Sequence, residues 1–184
     1  EVLAKAGFPG GKGLPPIKFD MRGADSLNRQ MGEFFTKQMA DVGITLQVIY
    51  NTFPAYLEKA KQGNLQVFMG GWAMDYPDAE NAYQLLYGPN KAPGPNDTSF
   101  DHKELNQLYD KMAVLLPSAQ RTSIIQRMDD LIQEEAPWAL LYYRVSYVLH
   151  HDWLKNYRPN QIIQGAKKYY RIDQARKKEL EKMF

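Results

Sequence analysis

Asp75, Asp78 and Glu80 lie within six positions of one another, and carboxylates at that spacing could do chemistry. Two of them facing each other across a cleft would divide general acid and general base work, as a hydrolase requires. Glu80, however, falls on a helix expected to follow the stretch, and no Gly-x-Ser-x-Gly elbow accompanies the three. The alternative chemistry is binding. From Gln66 to Asp78 an apolar run breaks into two glycines, an aromatic residue and carboxylates. Val67 to Met69 read as a short buried strand, Gly70 and Gly71 let another backbone come close, and Pro77 forces a turn. Trp72 and Asp75 then stand at the strand's end, and in an open α/β sheet ligands are met beyond the carboxyl ends of the strands. The plainer reading is a Gly-Gly-Trp packing turn, with Asp78 and Glu80 capping the next helix.

Other clusters carry less. Gly10-Gly11-Lys12-Gly13 invites a phosphate-loop reading, but that loop needs Gly where Ala6 stands and Ser or Thr where Gly13 stands, so a turn is expected. His150 and His151 are adjacent on an extended stretch and point to opposite faces, so they cannot chelate one metal together. With no cysteine and three histidines there is no disulfide framework, thiol nucleophile or Cys/His zinc spacing, and no metal or cofactor is implied. The 184 residues are 44% hydrophobic and 24% charged, as in one ordinary globular domain. A balance of 23 basic against 21 acidic residues sets up no long-range field for nucleic acid. Lys167, Lys168, Arg171, Arg176, Lys177 and Lys178 concentrate charge near the end, but Glu179 and Glu181 interrupt them, which favours a solvated terminal helix from Asp173 to Met183. No apolar run approaches the length of a membrane span.

The elements that must position the stretch are readable. Glu1 to Ala6 forms helix and runs into Gly7 without an N-cap. Ile17, Phe19 and Met21 alternate as a strand; Asp25 or Ser26 caps a helix with the apolar stripe Leu27, Met31, Phe34, Phe35 and Met39, which should be core. Ile44, Leu46, Val48 and Tyr50 make a second strand, and Thr52 with Pro54 opens a short helix ended by Gly63. The predicted fold class is therefore α/β, a βαβαβ parallel core with neighbouring strands and right-handed connections, doubly wound and flanked by helices. Further on, Ala79 to Tyr87 can make a helix and Gly88 to Thr98 an exposed loop. Asp101-His102-Lys103-Glu104 reads as a capping box for a helix with Leu105, Leu108, Met112 and Leu115 inward. Ser118 caps the next, whose Arg121, Arg127, Asp129 and Asp130 read as a solvated face. Trp138 to Leu149 reads as extended.

The order of several loose motifs then carries a resemblance. Ala4-Lys5-Ala6-Gly7-Phe8-Pro9-Gly10-Gly11 precedes Asp41-Val42-Gly43-Ile44, then Gly71-Trp72-Ala73-Met74-Asp75-Tyr76-Pro77-Asp78, then Arg121 in a helix ending Glu135-Ala136-Pro137-Trp138. Over about residues 1 to 172 the chain resembles the dipeptide- and oligopeptide-binding proteins of bacterial ABC importers, the family 5 extracellular solute-binding proteins. The resemblance implies a type II-like, two-lobed periplasmic or lipid-anchored receptor, not an enzyme, that hands its ligand to membrane permease subunits. This chain would supply most of the second lobe. The resemblance also implies a ligand-binding set of Gly71, Trp72, Ala73, Met74, Asp75 and Tyr76, with main-chain pairing to peptide and Asp75 meeting the α-ammonium. Receptors for nickel, haem or sugars in the same family stay open as alternatives, with a carboxylate-based hydrolase behind them.

Taken with its start inside a helix, the chain is expected to be a piece of a longer protein. Residues 1–142 should form the lobe, 143–172 should return to a first lobe, and 173–184 should form a charged helix. The first lobe would hold the cleft's other wall and any partner for the peptide carboxylate. Without it, the apolar residues after Tyr142 need cover, either from this lobe or from a second copy in a dimer.

Overall fold

The computed structural model describes residues 1–159 and 165–182. Residues 160–164 of the expected return segment, and Met183 with Phe184 at the end of the expected terminal helix, lie outside the described residues.

A single helical turn, α1 (Val2–Lys5), leads into the glycine-rich loop. This loop is a turn against backbone: a Cβ at Gly11 would overlap the carbonyl of Gly43, so the two chain segments can touch only as glycines. Alternating residues then form β1 (Ile17–Met21). The Asp25 side chain accepts from the N–H of Asn28 at 3.1 Å and starts α2 (Ser26–Asp41). β2 (Leu46–Tyr50) follows, and Thr52 accepts from Ala55 N–H to open α3 (Phe53–Lys61). The last strand of the sheet, β3, is short (Val67–Phe68).

All three strands are parallel, but their order is β2-β1-β3. β2 and β3 therefore flank β1 instead of lying side by side, which corrects the expectation that successive strands would be neighbours. The order has a physical consequence: the second connection crosses back over β1, and a right-handed crossover in each direction puts the two helices on opposite faces. Side chains of β1 confirm it, since Phe19 stacks edge-on against Phe35 of α2 while Asp20 pairs with Lys59 of α3. The α2 stripe is only partly core. Gly32 is buried beneath Tyr50 and Val48, whereas Leu27, Phe34 and Met39 are exposed. A 16-residue helix is about 24 Å long and outruns a face built on five-residue strands.

A helix pair follows the sheet and buries a cluster of its own. After one turn, α4 (Glu80–Tyr83), shorter than the helix expected over 79–87, the chain runs through 88–98 with Asn96 fully buried. Its amide donates to the carbonyls of Tyr87 and Phe100 at 3.0 and 2.9 Å, so this is a folded loop and not an exposed one. α5 (Lys103–Ala113) is capped by His102, whose Nδ1 accepts from Leu105 N–H at 3.3 Å, not by Asp101. Asp101 instead pairs with Lys91. Ser118 caps α6 (Ala119–Glu135), and Ala136 ends it in the left-handed conformation just before Pro137. Tyr83, Leu86, Leu105, Tyr109, Met112, Met128 and Leu131 bury one another into the main apolar cluster.

Beyond it, residues 139–150 form neither helix nor strand and are exposed throughout. Of the two kinds of cover expected after Tyr142, this lobe supplies little to 139–150, where Tyr142 touches Met31 at 3.8 Å and Tyr143 is 100% exposed, and more to Trp153, Tyr157 and Tyr170, which are half-buried. A small hairpin of β4 (Leu154–Lys155) and β5 (Arg171–Ile172) follows, then α7 (Gln174–Glu181) capped by Asp173.

Candidate functional site

β3 ends where the strand order reverses, so the segment after Phe68 leaves the sheet beside the carboxyl end of β1, which is where such sheets meet ligands. Met69 N–H still pairs with the Asp20 carbonyl at 3.0 Å. From Gly70 to Met74, among the described residues, no hydrogen bond engages the backbone. Gly71, Trp72, Ala73, Asp75 and Tyr76 are exposed, Trp72 at 48%, and Met74 is half-buried. The six predicted residues thus form one accessible ribbon.

Three polar fixtures hold that ribbon from behind. Asn81, only 1% exposed, accepts through Oδ1 from the indole N–H of Trp72 at 2.8 Å and from the backbone N–H of Asp75 at 3.0 Å. Glu80 accepts from the hydroxyls of Tyr76 and of Tyr109 on α5. Its carboxylate raises the Tyr76 pKa, and burial followed by Glu80 does the same at Tyr109. Asp78 accepts from Arg121 at 2.6 Å and from Glu80 N–H at 2.8 Å, and these bonds, Arg121 first, hold its carboxyl below the usual range. Asp78 and Glu80 are therefore committed to the scaffold, Asp78 through Arg121 and Glu80 through the two tyrosines, although the N-cap position of α4 is Ala79 and carries no side-chain cap.

Arg121 corrects the reading of its helix face. It is 9% exposed, with Nε donating to the Met112 carbonyl at 3.1 Å, so it bridges the loop to the helix pair. The other three stay on the solvent side as expected: Asp129 and Asp130 are exposed, Asp129 while accepting from Tyr83 at 2.6 Å, and the half-exposed Arg127 forks onto Glu104 at 2.8 and 3.1 Å. Under the ribbon, Asp20 is buried and balanced by Lys59 at 2.6 Å and by the Asn51 amide at 2.9 Å. Asn51 also donates to the Met21 carbonyl at 3.1 Å, tying the ends of β1 and β2 together.

Arg22 was not singled out from the sequence. It follows β1 directly, its guanidinium lies 5.2 Å from the Phe53 ring centre and 5.7 Å from that of Tyr56, and a Cβ at Gly71 would stand 3.5 Å from Nη1. Among the described residues no carboxylate pairs with it within salt-bridge distance. The strand-end rule that picked Asp75 would have picked Arg22 too. The two histidines have separate neighbours, His150 against Tyr157 and His151 against Trp153.

Comparison with known proteins bears on the family and the fold. Residues 1–94, about half of the chain, match the model for the middle region of bacterial extracellular solute-binding proteins, family 5. Heme-binding protein A of Haemophilus influenzae is 22% identical over 161 residues, 85% of this chain and 29% of that protein. Di/tripeptide-binding protein 1 of Pseudomonas aeruginosa is 22% identical over 74% of this chain and 26% of its own length. Among solved structures, the oligopeptide-binding protein AppA of Bacillus subtilis, in complex with a nonapeptide, superimposes with a TM-score of 0.70 at 14% identity, over 85% of this chain and 31% of that one. The periplasmic binding protein DppA of Helicobacter pylori, with a bound peptide, gives 0.65 at 20% identity, over 74% and 26%. The chain thus spans between a quarter and a third of the length of these relatives.

Proposed function

The chain belongs to family 5 of the bacterial extracellular solute-binding proteins, and from that premise we propose that it captures di- or oligopeptides as part of the substrate-binding component of an ABC importer. Residues 1–142 form most of the second lobe in this reading, 143–172 return to a first lobe, and 173–184 form a terminal helix. The protein works outside the cytoplasmic membrane, periplasmic or lipid-anchored, and delivers peptide to membrane permease subunits.

The observation that carries the reading is the ribbon from Gly70 to Met74, whose backbone makes no hydrogen bond among the described residues. A receptor that tolerates many side chains must bind what all peptides share, their amides and charged ends. Gly71, Trp72, Ala73 and Met74 offer N–H and C=O groups for main-chain pairing; Asp75 supplies a carboxylate for the α-ammonium, and Tyr76 closes that end. Arg22, beside Gly71, gives this lobe a cation of its own for a peptide carboxylate, where the resemblance had assigned that partner to the missing lobe. A zwitterionic chain with amides between its ends matches this layout better than haem, nickel or a sugar. Titration of the full-length receptor with peptides should give saturable binding, and binding of haem, nickel or sugar with no response to peptide would overturn the proposal. Alone, this lobe should bind peptide weakly and pair with a second copy through the exposed segment 139–150, giving a dimer in sedimentation experiments.

A further inference from the structure

Asn81 contacts half of the proposed ligand ribbon from behind, although nothing in its position at the start of a short helix announces it. Its oxygen receives two bonds from opposite ends of the turn, from the Trp72 indole and from the Asp75 amide. The side-chain amide also acts on the Tyr76 hydroxyl, easing its ionisation against the Glu80 carboxylate that hinders it. The orientation of this amide is fixed by its neighbours. Both groups facing Oδ1 are obligate donors, an indole N–H and a backbone N–H, so only the oxygen can stand there. Because the residue is 1% exposed and belongs to α4, that one atom ties Trp72 and Asp75 together to the helix behind the ribbon.

We propose that Asn81 is a positioning residue of the ligand site, whose carboxamide oxygen sets the register between the Trp72 main chain and the Asp75 carboxylate, so that a ligand's ammonium meets a pre-formed anion. The assignment rests on the peptide reading given above. Asn81 touches no ligand itself. Its effect reaches the ligand through Trp72 and Asp75, both of which can find water when released because they are exposed. Removing the oxygen therefore loosens the loop in preference to unfolding the lobe, and the loss appears as lower affinity and lower discrimination at the ammonium end.

Two variants test this in the full-length receptor. Asn81→Leu keeps the volume and removes the acceptor; Asn81→Asp keeps an acceptor for both N–H groups, and both variants lose the contact to Tyr76. Asn81→Leu should weaken binding of a free peptide roughly tenfold and shrink the penalty for N-acetylating that peptide, while Asn81→Asp should restore most of the penalty. A ligand-independent readout on the chain itself accompanies this: hydrogen exchange at the Asp75 amide should accelerate in Asn81→Leu and stay slow in Asn81→Asp. Unchanged exchange at Asp75, or an acetylation penalty equal to wild type in Asn81→Leu even with a lower melting temperature, would overturn the positioning role. Failure of the wild-type receptor to bind any peptide would overturn the peptide reading instead, and the exchange comparison would still decide whether Asn81 holds the loop.

Discussion

Two stretches of this chain leave regular structure and carry aromatic side chains into solvent, residues 70–76 and residues 139–150. Both have backbone to offer. They differ in what stands behind them. The first is fastened by Asn81, Glu80 and Asp78, and through Arg121 and Tyr109 to the buried helix pair. The second touches the rest of the described lobe through Tyr142 against Met31. An exposed edge that is held from behind has already met the entropic cost of ordering, which is what a binding surface requires. An exposed edge without such fastening is apolar surface waiting for cover.

If that contrast is right, damage to the helix pair should reach the first stretch and leave the second indifferent. The largest effect should come from Met112→Ala, which empties a fully buried site and removes the sulfur 3.1 Å from Arg121. Chemical denaturation should show a loss of about 2–5 kcal/mol.

Arg121→Gln should cost less, about 1–3 kcal/mol, because Asp78 keeps access to water. It should also change the pH dependence. Arg121 lowers the Asp78 pKa in the folded protein, so the pair contributes stability above the ordinary carboxylate range and loses it as the pH falls through the folded value. Acidification from about pH 5 to pH 3 should therefore cost the wild type more than the variant. An equal loss in both would detach Asp78 from Arg121.

The smallest effect belongs to the other stretch. Tyr143→Ser and Leu149→Ser should shift the unfolding free energy by no more than about 0.5 kcal/mol, and should reduce self-association in sedimentation experiments. A large loss of stability would mean that 139–150 is already packed.

The parts of the fold set by local sequence were legible. Period-two alternation marks Ile17 to Met21 and Leu46 to Tyr50, and Asp25, Thr52, Ser118 and Asp173 cap the helices they precede. Family membership was carried by motif order. Contacts between distant positions were not legible. Strand order depends on which edge of β1 the third strand finds, and a charge such as Arg121 reads as solvated until Asp78, 43 positions away, arrives beside it. Within the site, the strand-end stretch could be found because glycine, tryptophan and carboxylate residues break an apolar run. Asn81 could not, since an asparagine in a first helical turn is ordinary and its two donors are set by the fold of the loop.

The central claim is that Asp75 meets the ammonium of a bound peptide. It is tested most directly by titrating wild-type and Asp75→Asn full-length receptor with a peptide and its N-acetylated form. Removing one partner of a desolvated charge pair costs about 2–5 kcal/mol, so Asp75→Asn should weaken binding of the free peptide roughly thirty-fold or more. Acetylation should do comparable damage to the wild type and little further damage to the variant, because both changes remove the same pair. Two independent losses that simply add would contradict the assignment, however large each one was.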